Sequence, residues 1–322
     1  MKKTLCELLR DCFPKDSEVE DLYWTSIANC VFNSFLSYTA IMLNIVTIHA
    51  IRKTSSIPKT LKTLLLSLAF SDVGVGLLVQ PYYISLLIKH LQLTGPTCNT
   101  YKPFYLVSNF FCSASFLGVV AVSVDRFLAI HFHLRYQELV THKRVVAVVI
   151  SVWLLSAFLP FLMLSIPLDI YFHIIIVIAL VVGLVITTMI YIKIYLTVRR
   201  HENQIQALQV QRVAQAGEVA IFSSLVKSAM GTFYVYIVFV LCFLPFLISR
   251  VAKEMNSSSI VLRGFHLFAI TLVFLNSSLN PVIYCWKMRR IRHAVINILR
   301  KMYWYRSPAT HEIPAWAGPT MP

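Results

Sequence analysis

The stretch TLLLSLAFSDVGVGLLVQPYYISLLI, residues 63–88, carries a single charged side chain, Asp72, in an otherwise apolar run. A helix needs about 20 apolar residues to cross a hydrocarbon core, and this run is long enough. Six further runs contain no Asp, Glu, Lys or Arg at all: 22–51, 103–124, 145–168, 170–192, 228–249 and 264–286. Each is bounded by polar or basic residues, and each is longer and less alternating than a barrel strand. The reading is an all-α membrane protein, a seven-transmembrane helix bundle. Composition excludes a soluble protein, because only 13% of the 322 residues are charged, where a soluble domain carries about 25%. Hydrophobic residues make up 57%, and the mean hydropathy is +0.70.

The formal charge is +15, from 29 basic and 14 acidic residues. In a soluble chain that surplus would suggest nucleic acid, but between membrane spans its placement is what matters. Assigned to alternate loops, 20 of the 29 Lys and Arg fall on one side and 9 on the other. The positive-inside rule makes the richer side cytoplasmic, with the N-terminus outside and the C-terminus inside. The expectation is a multi-pass protein of the plasma membrane, in contact with membrane lipids and with no nucleic-acid partner. Its organisation reads as an extracellular N-terminus (1–26), the bundle (27–286), an amphipathic helix on the inner membrane surface (287–303) and a disordered cytoplasmic tail (304–322). Residues 1–21 lack the apolar core of a signal peptide, so the first helix is expected to be its own insertion signal. In the amphipathic segment Met288, Ile291, Val295, Ile298 and Leu299 share a face, with Arg289, Arg290 and Arg292 elsewhere. An untethered basic tail is the alternative there. The Gln-rich loop 199–226 is expected to prolong its flanking helices rather than form a domain.

A charge at bilayer depth costs at least about 2.5–3.5 kcal/mol, so Asp72 is a functional candidate by default. Ser115 in the third helix, Asn276, Ser277 and Asn280 in the seventh and Asn44 in the first are the side chains able to share its hydrogen bonds. Two readings stand: a polar cluster that holds helices together, and a cation site. Asn280-Pro281 removes a backbone donor near the end of the seventh helix, and Pro245 does the same in the sixth, just after Phe239, Cys242 and Phe243. Pro81 and Pro160 interrupt the second and fourth helices. Asp125-Arg126 ends the third helix, where an adjacent acid can neutralise the Arg in one state and release it in another.

With these residues in this order the chain resembles a rhodopsin-like (class A) G-protein-coupled receptor over about 27–302. The resemblance rests on Asn44; Leu68-Ala69-Phe70-Ser71-Asp72; Ser115 and Asp125-Arg126-Phe127; Trp153; Tyr191; Phe239 and Cys242-Phe243-Leu244-Pro245; and Asn280-Pro281-Val282-Ile283-Tyr284. It implies that Asp72, Ser115, Asn276 and Asn280 form an allosteric sodium (Na+) pocket, with Asp72 as the metal ligand, and no covalent cofactor. It implies an activation switch made of Asp125, Arg126, Tyr191, Phe239, Phe243, Pro245, Pro281 and Tyr284. Phe243 would be the toggle beneath the ligand, while Arg126, Tyr191 and Tyr284 rearrange as helix 6 swings outward to admit a heterotrimeric G protein.

Departures from the family pattern narrow the resemblance. Phe127 replaces the usual Tyr and Phe243 the usual Trp, each keeping a ring without its polar handle. Gly183 stands where most members have proline. The loop at about 166–172 is very short and has no Cys, so the family's disulfide from the top of the third helix cannot form. These features are similar to the melanocortin, adenosine and lipid-receptor subgroup, with a melanocortin- or adenosine-like receptor of an invertebrate nearest. Seven cysteines leave at least one free thiol. A bond from Cys98 to Cys6 or Cys12, pinning the N-terminus over the cavity, is the expectation. Asn256-Ser257-Ser258 is a candidate glycosylation site on the outer loop before the seventh helix.

The ligand-binding residues expected from this placement are Tyr82, Tyr105, Ser108, Phe243, Phe246, Arg250, His266, Ile270 and Phe274, mostly apolar with a few orienting groups. Amine receptors of the family carry an Asp at the position of Ser108, so an ammonium ligand would lack a counter-ion and a biogenic amine is not expected. Arg250, Lys253 and Arg263 gather positive charge at the outer rim; they read either as a site for an anionic ligand or as side chains snorkelling to headgroups. The function expected is a receptor that binds an extracellular small molecule, lipid or peptide and activates a G protein; the alternative is a membrane transporter or channel. An enzyme is not expected, because His49, His131, His173 and His266 lie on different helices or levels without an acid cluster beside them.

Overall fold

The computed structural model describes residues 10, 13–55, 57–132, 135–165, 170–207, 216–255 and 259–306. Among the described residues, seven helices are long and apolar enough to cross a membrane. They are α1 (Tyr23–Lys53), α2 (Lys59–Leu91), α3 (Cys98–His131), α4 (His142–Ser165), α5 (Ile170–Ala207), α6 (Ala216–Met255) and α7 (Ile260–Lys287). A further helix, α8 (Arg289–Arg306), follows after Met288 alone. A 3-10 turn at Asp16–Glu18 precedes α1, and a one-turn helix at Tyr136–Leu139 links α3 to α4. No strand occurs among the described residues. The membrane-bundle architecture read from the sequence is the observed one.

Boundaries differ in detail. The first helix opens at Tyr23, inside the segment assigned to the N-terminus, and α8 runs to Arg306, beyond the expected end at 303. Helix α5 extends to Ala207 and α6 begins at Ala216, so both flanking helices run into the 199–226 segment, as its sequence leads one to expect. Asn256, Cys6, Cys12 and the tail 307–322 lie outside the described residues.

The bundle is built with its polar side chains inside and its greasy ones outward. Trp24, Phe35, Leu154, Phe161 and Leu241 are exposed, whereas Asn44, Asp72, Arg126 and Asn280 are buried. Lipid tails are as apolar as Leu, so burying Leu gains little and helices associate through packing and interhelical hydrogen bonds. Those bonds are visible: Asn44 Nδ2 donates to the Ser277 carbonyl at 2.9 Å, and Asn33 Nδ2 donates to Thr271 Oγ1 at 2.8 Å. Trp153 Nε1 donates to Ser67 Oγ at 2.9 Å, which fastens α4 to α2. Helix α8 turns Ile291 fully inward, with Met288 and Val295 against the core cluster, while Arg289 and Arg290 are exposed.

Pro81 does not break α2; the helix widens around it. Residues Val75–Val79 form a π-helical turn in which the Gln80 N–H bonds the Val75 carbonyl. The next bond in that register would run from residue 81 to Gly76, and proline has no N–H to donate. The freed Gly76 carbonyl instead accepts from Ser37 Oγ of α1 at 2.7 Å. In lipid an unsatisfied carbonyl is costly, so the neighbouring helix supplies the donor.

Two glycines mark close approaches. A Cβ on Gly74 would meet the Phe111 ring at 2.0 Å, and one on Gly183 would meet Phe116 Cζ at 2.6 Å. The Phe116 ring thus occupies the space beside α5 that a larger residue at 183 would need. Overpacking of this kind costs about 1–3 kcal/mol. Gly74→Ala and Gly183→Ala should each lower the thermal midpoint of the purified protein in detergent, the former more. Unchanged midpoints would mean that the rings yield freely.

Candidate functional site

Asp72 lies on α2 with no solvent exposure. Asn280 Nδ2 from α7 donates to its Oδ2 at 2.8 Å. Asp72 Oδ1 has no hydrogen-bond partner, and neither do Ser115 Oγ, Asn276 Oδ1, Asn280 Oδ1 or the Tyr284 hydroxyl. Ser115 lies on α3, one turn from Cys112. An interhelical hydrogen bond in a membrane contributes about 0.6–2 kcal/mol. The cost of a charge there is at least about 2.5–3.5 kcal/mol, so the Asn280 bond alone does not offset an ionised Asp72. The orphaned oxygens are the hard donors that a small cation prefers.

At the other polar level, Arg126 is almost wholly buried at the end of α3. Its Nε donates to Asp125 Oδ2 at 3.0 Å, and Nη2 closes a second contact to the same oxygen. Only Nη1 reaches α6, at 3.4 Å from Ser228 Oγ. Tyr136, from the one-turn helix, donates to Asp125 Oδ1 at 2.6 Å and lies 3.0 Å from Thr60 Oγ1. Tyr191 accepts from Ser123 Oγ at 3.0 Å and stacks on Tyr236. Among the described residues no hydrogen bond joins Arg126, Tyr191 and Tyr284 to one another. Between the two polar levels Leu65, Leu68, Val119, Val122, Thr232, Val235 and Tyr284 line a narrow space. Phe127 stacks on His131 at 5.2 Å, and Phe243 on Phe239 at 4.0 Å, which itself stacks on Phe116. The switch prolines are accommodated within their helices, Pro245 in α6 and Pro281 in α7.

The residues expected to line one ligand cavity separate into groups. Phe246 stacks on His266, whose Nδ1 lies 2.8 Å from Ser249 Oγ. Phe274 packs edge-on to Tyr83, and Ile270 is nearly buried beside them in the core. Ser108 donates at 3.2 Å to the Tyr105 carbonyl of its own helix. Tyr82 turns to the α3 edge, donating to the Thr100 carbonyl at 2.9 Å and packing on Phe104. Its neighbour Tyr83 is the tyrosine that faces α7, its hydroxyl 3.4 Å from the Leu267 carbonyl and its ring edge-on to Phe274. Arg263 is also reassigned: it is 2% exposed and its Nε lies 2.9 Å from Glu18 Oε2. Sequence reasoning missed Phe13, Glu18, Tyr83, His90, Tyr101 and Phe104, which gather at this end. No local signal marks them, because they come from segments far apart in the chain.

Cys98 is disulfide-bonded, while Cys30, Cys112, Cys242 and Cys285 are free thiols. The two other cysteines of the chain, Cys6 and Cys12, are those outside the described residues.

Burial and the adjacent Asp125 carboxylate push the Tyr136 phenol up to about 12 from its ordinary 10.0. A group whose pKa is raised on folding adds stability below its unfolded value and loses it as pH climbs to the folded one. The stability lost in Tyr136→Phe should therefore be constant from neutral pH to about 10 and shrink between about 10 and 12. Thermal melts of both proteins across that range would check it.

A family model described as "7 transmembrane receptor (rhodopsin family)" matches residues 43–168 and 165–284. The chain is 33% identical to adenosine receptor A2b of Gallus gallus over 39% of its own length and 36% of that receptor's. It is 26% identical to melanocortin receptor 5 of Sus scrofa over 78% of its length and 86% of the relative's. It is 25% identical to the histamine H2 receptor of Canis lupus familiaris over 73% and 69% respectively. The chain thus spans little more than a third of the adenosine receptor it matches. With the polar cluster on α2, α3 and α7, the Asp-Arg end of α3 and this match over most of the helical core, the chain belongs to the rhodopsin family of seven-transmembrane receptors.

Proposed function

We propose that this multi-pass membrane receptor binds an extracellular small molecule, lipid or peptide at the Cys98 end of the bundle. In this reading it activates a heterotrimeric G protein at the Arg126 end through outward movement of α6. The observation that carries the reading is the way Arg126 is held. Its two short contacts are to Asp125 on its own helix, Tyr136 braces that carboxylate from the side, and α6 is reached only through the 3.4 Å contact to Ser228. A single long bond to a hydroxyl, from a guanidinium whose charge Asp125 already neutralises, is a weak latch, so α6 can part from α3 without stranding a charge. The excess of Lys and Arg at the Arg126 end supports placing it in the cytoplasm.

Asp72, Ser115, Asn276 and Asn280 fit an allosteric Na+ ion, because each leaves a buried oxygen without a partner. Bound there, the ion supplies the positive charge that an ionised Asp72 lacks. Asn280 holds the second carboxylate oxygen, so the helices α2 and α7 stay joined whether or not the ion is present. The ligand proposed is not a biogenic amine: Ser108 offers a hydroxyl already given to the Tyr105 carbonyl, and no acid stands there. Similarity to the histamine H2 receptor is a likeness over the helices and does not supply that missing carboxylate. The positive charge that Arg250 and Lys253 bring to the outer end of α6 favours an anionic group on the ligand.

Nucleotide exchange on purified G proteins with the reconstituted receptor tests this. The wild type should accelerate exchange and Arg126→Ala should reduce that acceleration at least tenfold. Replacing K+ by Na+ should lower wild-type basal exchange and leave Asp72→Asn unaffected. Exchange rates that are the same with and without receptor, across a panel of G-protein subtypes and ligand libraries, would overturn the transducer reading.

A further inference from the structure

The N-terminal segment does not lie loosely over the bundle; it is gripped at two points. Phe13 and Pro14 are buried, residues 15–17 arch outward in solvent, and Glu18 returns to a buried position. The Phe13 ring is 2% exposed. It stacks on His90 at 5.5 Å with an interplanar angle of 11° and touches Tyr83, Tyr101 and Phe104 at centroid distances of 5.4–6.0 Å. Arg263 of α7 holds the other end, with Nε 2.9 Å from Glu18 Oε2, and Nη1 reaches back to the Phe13 carbonyl at 3.4 Å.

The geometry points to a ligand subsite between the Cys98 ends of α2, α3 and α7 that takes an aromatic ring and a carboxylate together. Its resident occupant is the chain's own Phe13–Glu18 segment. The ligand class this selects is a peptide carrying an aromatic residue followed within a few positions by an acid. The physical ground is what the pocket lacks when emptied. A guanidinium as buried as Arg263 demands an anion, because an uncompensated buried charge is strongly destabilising. A box of four rings with no ring inside exposes apolar surface that only another flat, apolar group fills well. His90 adds a directional element: Nε2 pairs with the Tyr101 hydroxyl at 2.8 Å, while buried Nδ1 has no partner.

This rests on the receptor reading only for its placement outside the cell. The test is binding of a fluorescent peptide with the sequence of residues 12–22, Ser replacing Cys12, to full-length receptor on intact cells, with surface display followed by an epitope antibody. The Phe13→Ala/Glu18→Gln receptor should bind it at least tenfold more tightly than wild type, whose site is filled in cis. Binding should be lost when the peptide's own Phe is replaced by Ala, and when Arg263→Gln is added to the receptor. Equal binding to both receptors, or none to a displayed double variant, overturns the proposal. If the double variant is not displayed, Glu18→Gln alone takes its place with an expected gain of at least threefold, and no gain over wild type overturns it. No G protein enters the measurement, so absent nucleotide exchange would sink the transducer reading and leave this one standing.

Discussion

A carboxylate placed where no water can reach it constrains the whole bundle. Asp72 has one good donor, Asn280, and around it stand oxygens from α3 and α7 that are buried and unpaired. Hydrocarbon offers these groups nothing, so each polar side chain must find its partner on another helix. The same rule explains Asn44 on the Ser277 carbonyl, Ser37 on the carbonyl freed by Pro81, and Trp153 on Ser67. Asp72 Oδ1, Ser115 Oγ, Asn276 Oδ1 and Asn280 Oδ1, on the three helices α2, α3 and α7, remain without a partner.

The second polar level, around Arg126, is organised differently. Its charge is neutralised within α3 by Asp125; Tyr136 donates to the other carboxylate oxygen and is itself within hydrogen-bond distance of Thr60. An apolar layer separates the two levels, and Tyr284 borders it with its hydroxyl unpaired. A rearrangement there would break few strong contacts. The departures from the family pattern are absorbed by stacking: Phe127 lies on His131, Phe243 on Phe239, and Phe116 fills the flank of Gly183. Rings that lost a polar handle keep their dispersion contacts, which is sufficient where the surroundings are apolar.

At the opposite end the chain closes on itself. Arg263 belongs to α7, Phe13 and Glu18 to the segment before α1, and the aromatic walls to α2 and α3. A basic residue that composition alone would give to a lipid headgroup or a foreign anion is thus satisfied internally.

The seven spans, their order and the class of the fold were legible in the sequence, because apolar length is a local property and a membrane imposes it span by span. Asp72, Asn280 and Arg126 were legible too: a charge or amide in such a run is conspicuous wherever it packs. Which of Tyr82 and Tyr83 faces α7 was not, since the choice between adjacent residues shows only in their contacts with other helices. Nor was the pairing of Glu18 with Arg263, or the burial of Phe13 against His90. Periodicity and hydropathy are summed along the chain, whereas these contacts exist only once helices remote in sequence have been brought side by side.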